Sequence, residues 1–481
     1  MDTPSRRPLR RFLRFSTRGL MALVLAIGAP LGWVVHRAHV QRDAVAAIQR
    51  AGGDVRYGLT YRPKTKLRTP DWLASLVGVD YLDTVVEAFC GKATVDADLV
   101  AVGRLSRLES LALDTTSVSD AGLEHLEGLR RLKTLHLNRT GTTSRGLVHL
   151  KGMTSLRVLG LSGTKVDGAG MEHLRGLTNL ETLSLDDTRV DDAGLAHLKG
   201  LTGLLTLDLS GTAVTDAGLE NLQGMSGLAK LYLSKTAVTD AGLVNLRGMS
   251  GLALLWLWKT AVTDAGLVNL RGMNKLKELV LSGTAIAGPG LVHLQQLPAL
   301  WILSLSSTPV TDAGLVNLKG MDKLKDLNLS GTPVTDAGMV HLAGLPSLGQ
   351  LELKGTQIGD AGLAHLDRLR ALRWLNLSNT RVTTAGLAAF EGLSRLIFLD
   401  LSGTKIDDAS LARLAGGAIL GPRTLWLRDT PITDAGLVHL TGLSRLAVLD
   451  LINTHVTDAG VARLAKAMPQ LLVRRALPPR G

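Results

Sequence analysis

The chain has 481 residues, 45% of them apolar but only 3% aromatic, so a large core is available and leucine, valine and alanine must build it. A single cysteine, Cys90, excludes an intramolecular disulfide framework and any multi-cysteine zinc site. The net charge of +12 sits at the two ends: residues 1–72 carry 14 basic against 4 acidic residues, residues 463–481 carry 5 basic and none acidic, and the body between is net −3, which argues against a nucleic-acid partner.

Residues 1–18 form a basic segment with Arg6, Arg7, Arg10, Arg11, Arg14 and Arg18. The 17 uncharged residues 19–35 that follow meet the lower limit for a membrane-spanning helix, and we expect an uncleaved single-pass anchor, with a cleaved secretory signal as the alternative. The preceding arginines would keep the N-terminus cytoplasmic and place the rest of the chain outside the cytoplasm. Residues 36–80 read as a juxtamembrane helix and linker. The helix runs over Ala38–Arg50 and is ended by Gly52-Gly53. A short strand is expected within Asp54–Arg62, a basic linker over Pro63–Thr69, and a helix opening at Thr69-Pro70 and running through Trp72, Leu73 and Leu76.

From Leu108 the sequence repeats every 24 residues, phased by one threonine per copy from Thr116 to Thr404 and, after a two-residue insertion, at Thr430 and Thr454: fifteen copies in all. Each copy holds two periodicities. Leu207 and Leu209 are two apart, as on one face of a strand, while Leu219 and Leu222 are three apart, as on one side of a helix. Thr215 or Asp216 would cap that helix, and the recurring aspartates from Asp120 to Asp458 are read as caps, not as a calcium or catalytic ladder. Ala217-Gly218 would let the turn lie close to its neighbour, and the marker threonine would satisfy backbone groups inside the turn. One copy cannot bury enough surface alone, so the copies must stack into a solenoid.

The pattern closely resembles the leucine-rich repeat family in its 24-residue form with a V/I-T-D-A-G-L helix start. It covers residues 108–462 tightly and extends to 81–107 as a degenerate N-terminal cap repeat through Val85, Phe89, Val95 and Leu99. The basic start, single apolar segment, A-A-I-Q-R-A-G-G helix end and P-D-W-L segment are similar to bacterial membrane-anchored members. The resemblance implies an α/β leucine-rich repeat solenoid, a horseshoe over residues 108–468 with a parallel sheet on its concave face and short helices on its convex face. It also implies that ligand binding is the usual role, without naming a ligand. Residues 469–481 then form a C-terminal cap and basic tail, where Arg474 and Arg475 blunt the open edge.

Function would sit at the outward positions of the strands. Five tryptophans are expected in strand segments: Trp256, Trp258, Trp301, Trp374 and Trp426. Trp256 shares a phase with Tyr232 and Val280, Leu254 and Ile302 stand close by, and Trp374 shares a phase with Phe398. Such rings either anchor a partner or pack on one another along the ladder. A file of histidines on the helical side, beginning with His125, His149, His173 and His197, alternates with Asn221, Asn245, Asn269 and Asn317, which points to a shared hydrogen-bonding role over metal ligation. No nucleophile elbow, phosphate loop or dinucleotide fingerprint is present in the sequence, so no catalytic residue, metal or cofactor is assigned. The expected function is a non-catalytic scaffold binding a protein or peptide; a structural spacer or a cell-wall glycan binder is the alternative.

Overall fold

The computed structural model of the chain describes residues 17–58, 78–416 and 421–475, in two compact units, 1–141 and 142–481. The five earliest arginines and the expected helix at Trp72, Leu73 and Leu76 lie outside the described residues.

In the first unit, helix α1 (Thr17–Arg50) is continuous through both the apolar segment and the expected juxtamembrane helix. Among the described residues no helix is long and apolar enough to cross a membrane. The expectation of a spanning helix over 19–35 is corrected accordingly: α1 is long, but Gly19, Gly28, Pro30 and Gly32 dilute the apolar side chains of that segment. The second half of α1 is packed down. Ala38, Ala44, Val45, Ala47 and Ile48 are buried. Gln41 knits the packing together: its Nε2 donates to Asp80 Oδ1 and to the Asp83 carbonyl, both at 3.0 Å, and its Oε1 accepts the Val85 amide at 3.1 Å. Gly52, at φ 79°, turns the chain out of the helix. Strand β1 (Asp54–Tyr57) then runs antiparallel to β2 (Val85–Phe89), which continues in parallel register into β3 (Ser110–Ala112) and β4 (Thr134–His136).

The second unit is a run of three-residue strands, one per coil: β5 (Val158–Gly160), β6 (Thr182–Ser184), β7 (Thr206–Asp208), β8 (Lys230–Tyr232), β9 (Leu254–Trp256), β10 (Glu278–Val280), β11 (Ile302–Ser304), β12 (Asp326–Asn328), β13 (Gln350–Glu352), β14 (Trp374–Asn376), β15 (Phe398–Asp400), β16 (Thr424–Trp426), β17 (Val448–Asp450) and β18 (Leu472–Arg474). Each pairs in parallel with the next, in register residue for residue. The middle residue of each strand from β5 to β17 is buried, as are the second strand-side leucine and the two helical leucines of nearly every coil, forming one continuous leucine ladder. The opposite side carries one or two short turns per coil. Some are α-helical, as at Asp216–Leu219, and others are wholly 3-10, as at Asp264–Leu270. A segment this short closes its last hydrogen bonds with the tighter i→i+3 turn.

All fifteen marker threonines donate their hydroxyl to the carbonyl of the leucine three residues earlier, at 2.5–2.8 Å. The residue before each threonine is left-handed in every coil, filled by glycine in six and by Thr, Arg, Asp, Lys, Ser or Asn in the others.

The recurring aspartates are not the helix caps expected of them. Thr215 caps its own helix by accepting the Ala217 amide at 3.3 Å. Asp216 reaches instead into the next coil, where its two oxygens accept the Thr239 amide at 2.7 Å and the Thr239 hydroxyl at 2.6 Å. The same pair of bonds recurs from Asp192, Asp240, Asp312, Asp360, Asp408 and Asp434. The glycine three residues after the threonine makes room for it: a Cβ on Gly242 would meet Asp216 Oδ1 at 2.3 Å. Where the partners change, they change together. Ser144 stands at an aspartate position and Asp167 at a threonine position, and the hydroxyl now donates forward at 2.6 Å. Thr384 and Asp407 make the same exchange at 3.0 Å. A periodicity read within one copy could not expose this bond, because it joins two copies.

Candidate binding surface

Each strand presents two residues outward, so the parallel register of the second unit lines them up in two files. From β8 to β14 the first file reads Lys230, Leu254, Glu278, Ile302, Asp326, Gln350 and Trp374. The second reads Tyr232, Trp256, Val280, Ser304, Asn328, Glu352 and Asn376.

At one end, Tyr232 and Trp256 meet edge to face with ring centroids 4.9 Å apart. Trp256 donates from Nε1 to Glu278 Oε1 at 2.8 Å. Burial, and then the nearby Asp208 and Glu278 carboxylates, push the Tyr232 phenol up. Leu254, Val280 and Ile302 are half-buried around this cluster and leave part of their apolar surface open.

At the other end, Trp374 and Phe398 stack in parallel with centroids 3.6 Å apart, and Trp426 meets Phe398 edge-on at 4.9 Å. Trp374 Nε1 donates to Glu352 Oε1 at 2.5 Å. Arg428 lies over the Trp426 ring at 5.0 Å and pairs with the buried Asp450 at 2.6 Å. Phe398 is only 4% exposed, whereas Trp374 is 36% exposed. Phe398 packs inside the ladder, and Trp374 covers it while remaining part-exposed.

Two tryptophans expected in strands lie beside them. Trp258 is in the turn after β9, with Lys235 and Lys259 each 4.9 Å from its ring. Trp301 precedes β11 and is 40% exposed, over a shallow recess lined by Lys277, Pro298, Ala299, Lys323 and Lys325. The 24-residue period places both in the right coil, but a three-residue strand is shorter than the apolar stretch around it. Trp258 and Trp301 thus join neither aromatic cluster.

Between the clusters lie three carboxylates that a search for aromatic residues passes over: Glu278, Asp326 and Glu352. Burial first, then the Glu352 and Glu278 charges, push Asp326 up to about 6. Burial is likewise the main cause raising Glu352, opposed by hydrogen bonds from Asn376 and Trp374. All three sit at outward strand positions, so the repeat phase was the signal that could have found them. Asp208, one strand before Tyr232, is also raised, again chiefly by burial.

On the helical side, Asn245 and Asn269 each donate to a backbone carbonyl of the preceding coil at 3.4 Å, and Asn317 does so at 3.1 Å. Arg271 and His293 share a hydrogen bond of 2.9 Å. This is the hydrogen-bonding use expected of that file, shown at the asparagines and His293, whereas the buried Nδ1 of His173 has no hydrogen-bond partner. Among the described residues no group of three or more His, Cys, Asp or Glu could hold a metal ion.

Stacked coils of strand and short helix, bound through a leucine ladder and offering an ordered strand face, define a repeat solenoid. The chain belongs to the leucine-rich repeat family: the family model described as a leucine-rich repeat region matches residues 119–361. No curated protein matches the chain. Among solved structures it is similar to a leucine-rich repeat protein of Leptospira interrogans, with TM-score 0.55 and 18% identity, covering 84% of this chain and 92% of that one. It is also similar to an internalin of Listeria monocytogenes, with TM-score 0.41 and 19% identity over 74% of this chain and 83% of that one. At these identities the first likeness bears on the fold alone.

Proposed function

We propose that the chain is a non-catalytic scaffold that captures a protein or peptide ligand on the strand face of its second unit, between Tyr232–Trp256 and Trp374. The observation that carries this reading is a part-exposed indole at each end of an outward-facing strip, Trp256 braced by Tyr232 and Trp374 by Phe398. Rings already held by neighbours lose little freedom on binding and serve well as anchors. Leu254, Val280 and Ile302 add apolar contact between them, while Phe398 and Trp426 support Trp374 from beneath. Trp258 and Trp301 fall outside this contact set.

The scaffold is seated at a membrane by the first half of α1, with the second unit on the extracytoplasmic side. Met21, Val24, Leu25, Ile27, Leu31 and Trp33 are 58–70% exposed there, an apolar surface that lipid would cover. Arg37 over the Trp33 ring, at 5.3 Å, suits the border between lipid and water.

The ligand reading is tested by passing envelope extract over the immobilised full chain and over a Trp256→Ser/Trp374→Ser variant. Proteins retained by the first and lost by a still-folded second support it; equal retention overturns it. Polysaccharide retained in their place would favour a glycan ligand. Recovery of the chain in the soluble fraction after gentle lysis, with none on sedimented membranes, would overturn the seating.

A further inference from the structure

We infer that the face between β8 and β14 receives an extended cationic segment of a partner polypeptide, whose arginine or lysine side chains settle on Glu278, Asp326 and Glu352. The inference rests on the ligand-binding role proposed for that face and adds the chemistry of the ligand.

Charge is the first ground. The outward positions of these seven strands carry three carboxylates and one cation, Lys230, which stands at the Tyr232 end. Elsewhere the strand carboxylates Glu87 and Asp450 pair with Arg56 at 3.1 Å and Arg428 at 2.6 Å, and Glu109 and Glu181, each just before a strand, pair with Lys133 at 2.7 Å and Arg157 at 2.8 Å, whereas among the described residues Asp208 and Asp400 make no such pair. Among the described residues Glu278, Asp326 and Glu352 have no ion pair. Burial first, and then the Glu352 and Glu278 charges, disfavour the ionised form of Asp326, and a cation laid between these carboxylates offsets both.

Geometry is the second. The carboxylates lie on β10, β12 and β13, so they are spread over strands about 4.8 Å apart and do not close on a point. That spacing suits several separate cations better than one metal ion. The strip is bracketed by the two tryptophans, whose indole N–H groups donate to its first and last carboxylates. From β9 to β14 is five strand spacings, roughly 24 Å, which an extended chain covers in about seven residues. The open faces of Trp256 and Trp374 can take a guanidinium or an apolar side chain at either end of such a segment.

The test uses the full chain and two fluorescein-labelled eight-residue peptides, identical except that three arginines in one are glutamines in the other. Fluorescence anisotropy at low and high salt gives the affinities. The arginine peptide should bind at least about tenfold more tightly, and Asp326→Asn with Glu352→Gln should remove most of that difference. Asp326→Asn alone should weaken binding severalfold, and it leaves the Trp374 hydrogen bond intact. Neutralising Glu124, Glu127 and Glu172 on the helical side should leave the affinity unchanged, and added salt should weaken only the arginine peptide. Equal binding of both peptides, or equal loss from either set of substitutions, overturns the inference. If envelope proteins are still captured through Trp256 and Trp374 while the arginine peptide binds no better than the glutamine one, the cationic ligand is wrong and the scaffold reading stands. If capture is also indifferent to the two tryptophans, both fall.

Discussion

Asp216 and Thr239 lie in successive coils, and the carboxylate of the first accepts both the amide and the hydroxyl of the second, at 2.7 and 2.6 Å. Repeated along the molecule, this bond holds coil to coil on the helical side much as the backbone ladder does on the strand side. Replacing Asp216 by Ser should cost about 2 kcal/mol of unfolding free energy, the worth of hydrogen bonds to a charged group. Adding Thr239→Asp should restore much of that loss, since Ser144 and Asp167 already make the exchanged bond. Urea denaturation of the single and double variants measures both, and a double variant no more stable than the single would refute the exchange.

The glycine that admits this carboxylate should be equally sensitive. A methyl group on Gly242 would fall 2.3 Å from Asp216 Oδ1 and 3.1 Å from Leu219 Cδ1. We expect Gly242→Ala to cost about 2 kcal/mol, as overpacking does. In an Asp216→Ala background the same change should cost clearly less, so the two effects will not add.

The left-handed position before each marker threonine allows a cleaner test of backbone strain. Gly355 has φ 68° and open space around the site of a Cβ. Gly355→Ala should therefore lose about 1 kcal/mol from conformation alone. Gly355→Asn should lose less, because asparagine tolerates this region and already fills the position at Asn379 and Asn453. Thermal unfolding distinguishes the two.

Acid should act on the protein in two opposite ways. Hydrogen bonds from Ser144, from Ser410 and from Thr457 hold Asp167, Asp407 and Asp434, respectively, below the usual aspartate range. A lowered carboxyl favours the folded state above its unfolded value, and that contribution is lost as pH falls through the folded one. Asp326 has the opposite sign. Raised to about 6, it binds a proton more readily when folded, so acidification from about 6 towards 3.8 stabilises the native state at this site. Asp326→Asn should accordingly raise the melting temperature at neutral pH and change it little at pH about 4, where the native carboxyl is already protonated. A uniform shift at both pH values would contradict this.

The stacked pair Trp374–Phe398 should separate folding from binding. Phe398→Ala should cost about 3 kcal/mol, as for a buried aromatic ring. Trp374→Ala should cost less stability and more ligand capture. Comparable losses of stability from both would place Trp374 in the core as well.

Much of the solenoid was legible beforehand because its cause is periodic. Leucines two and three apart in every copy can be buried together only by stacking, and Thr116 through Thr454 mark the same inward turn each time. The aromatic phases were equally readable: Tyr232 and Trp256 do meet, and Trp374 does lie on Phe398. Strand length was not readable, so Trp258 and Trp301 were placed one element too far in. The length of the apolar stretch at 19–35 was plain, yet α1 carries it as the exposed end of a helix whose other half is packed into the first unit.

Chain order alone thus dictated the coil, its period and its leucine core, since each depends on residues close together along the chain. Folding was needed to bring residues 23 apart into contact, turning aspartates from caps into clamps. Folding also brought Glu278, Asp326 and Glu352 into one unpaired strip between two tryptophans. Burial and charge crowding arise only between neighbouring coils, and no single copy contains them.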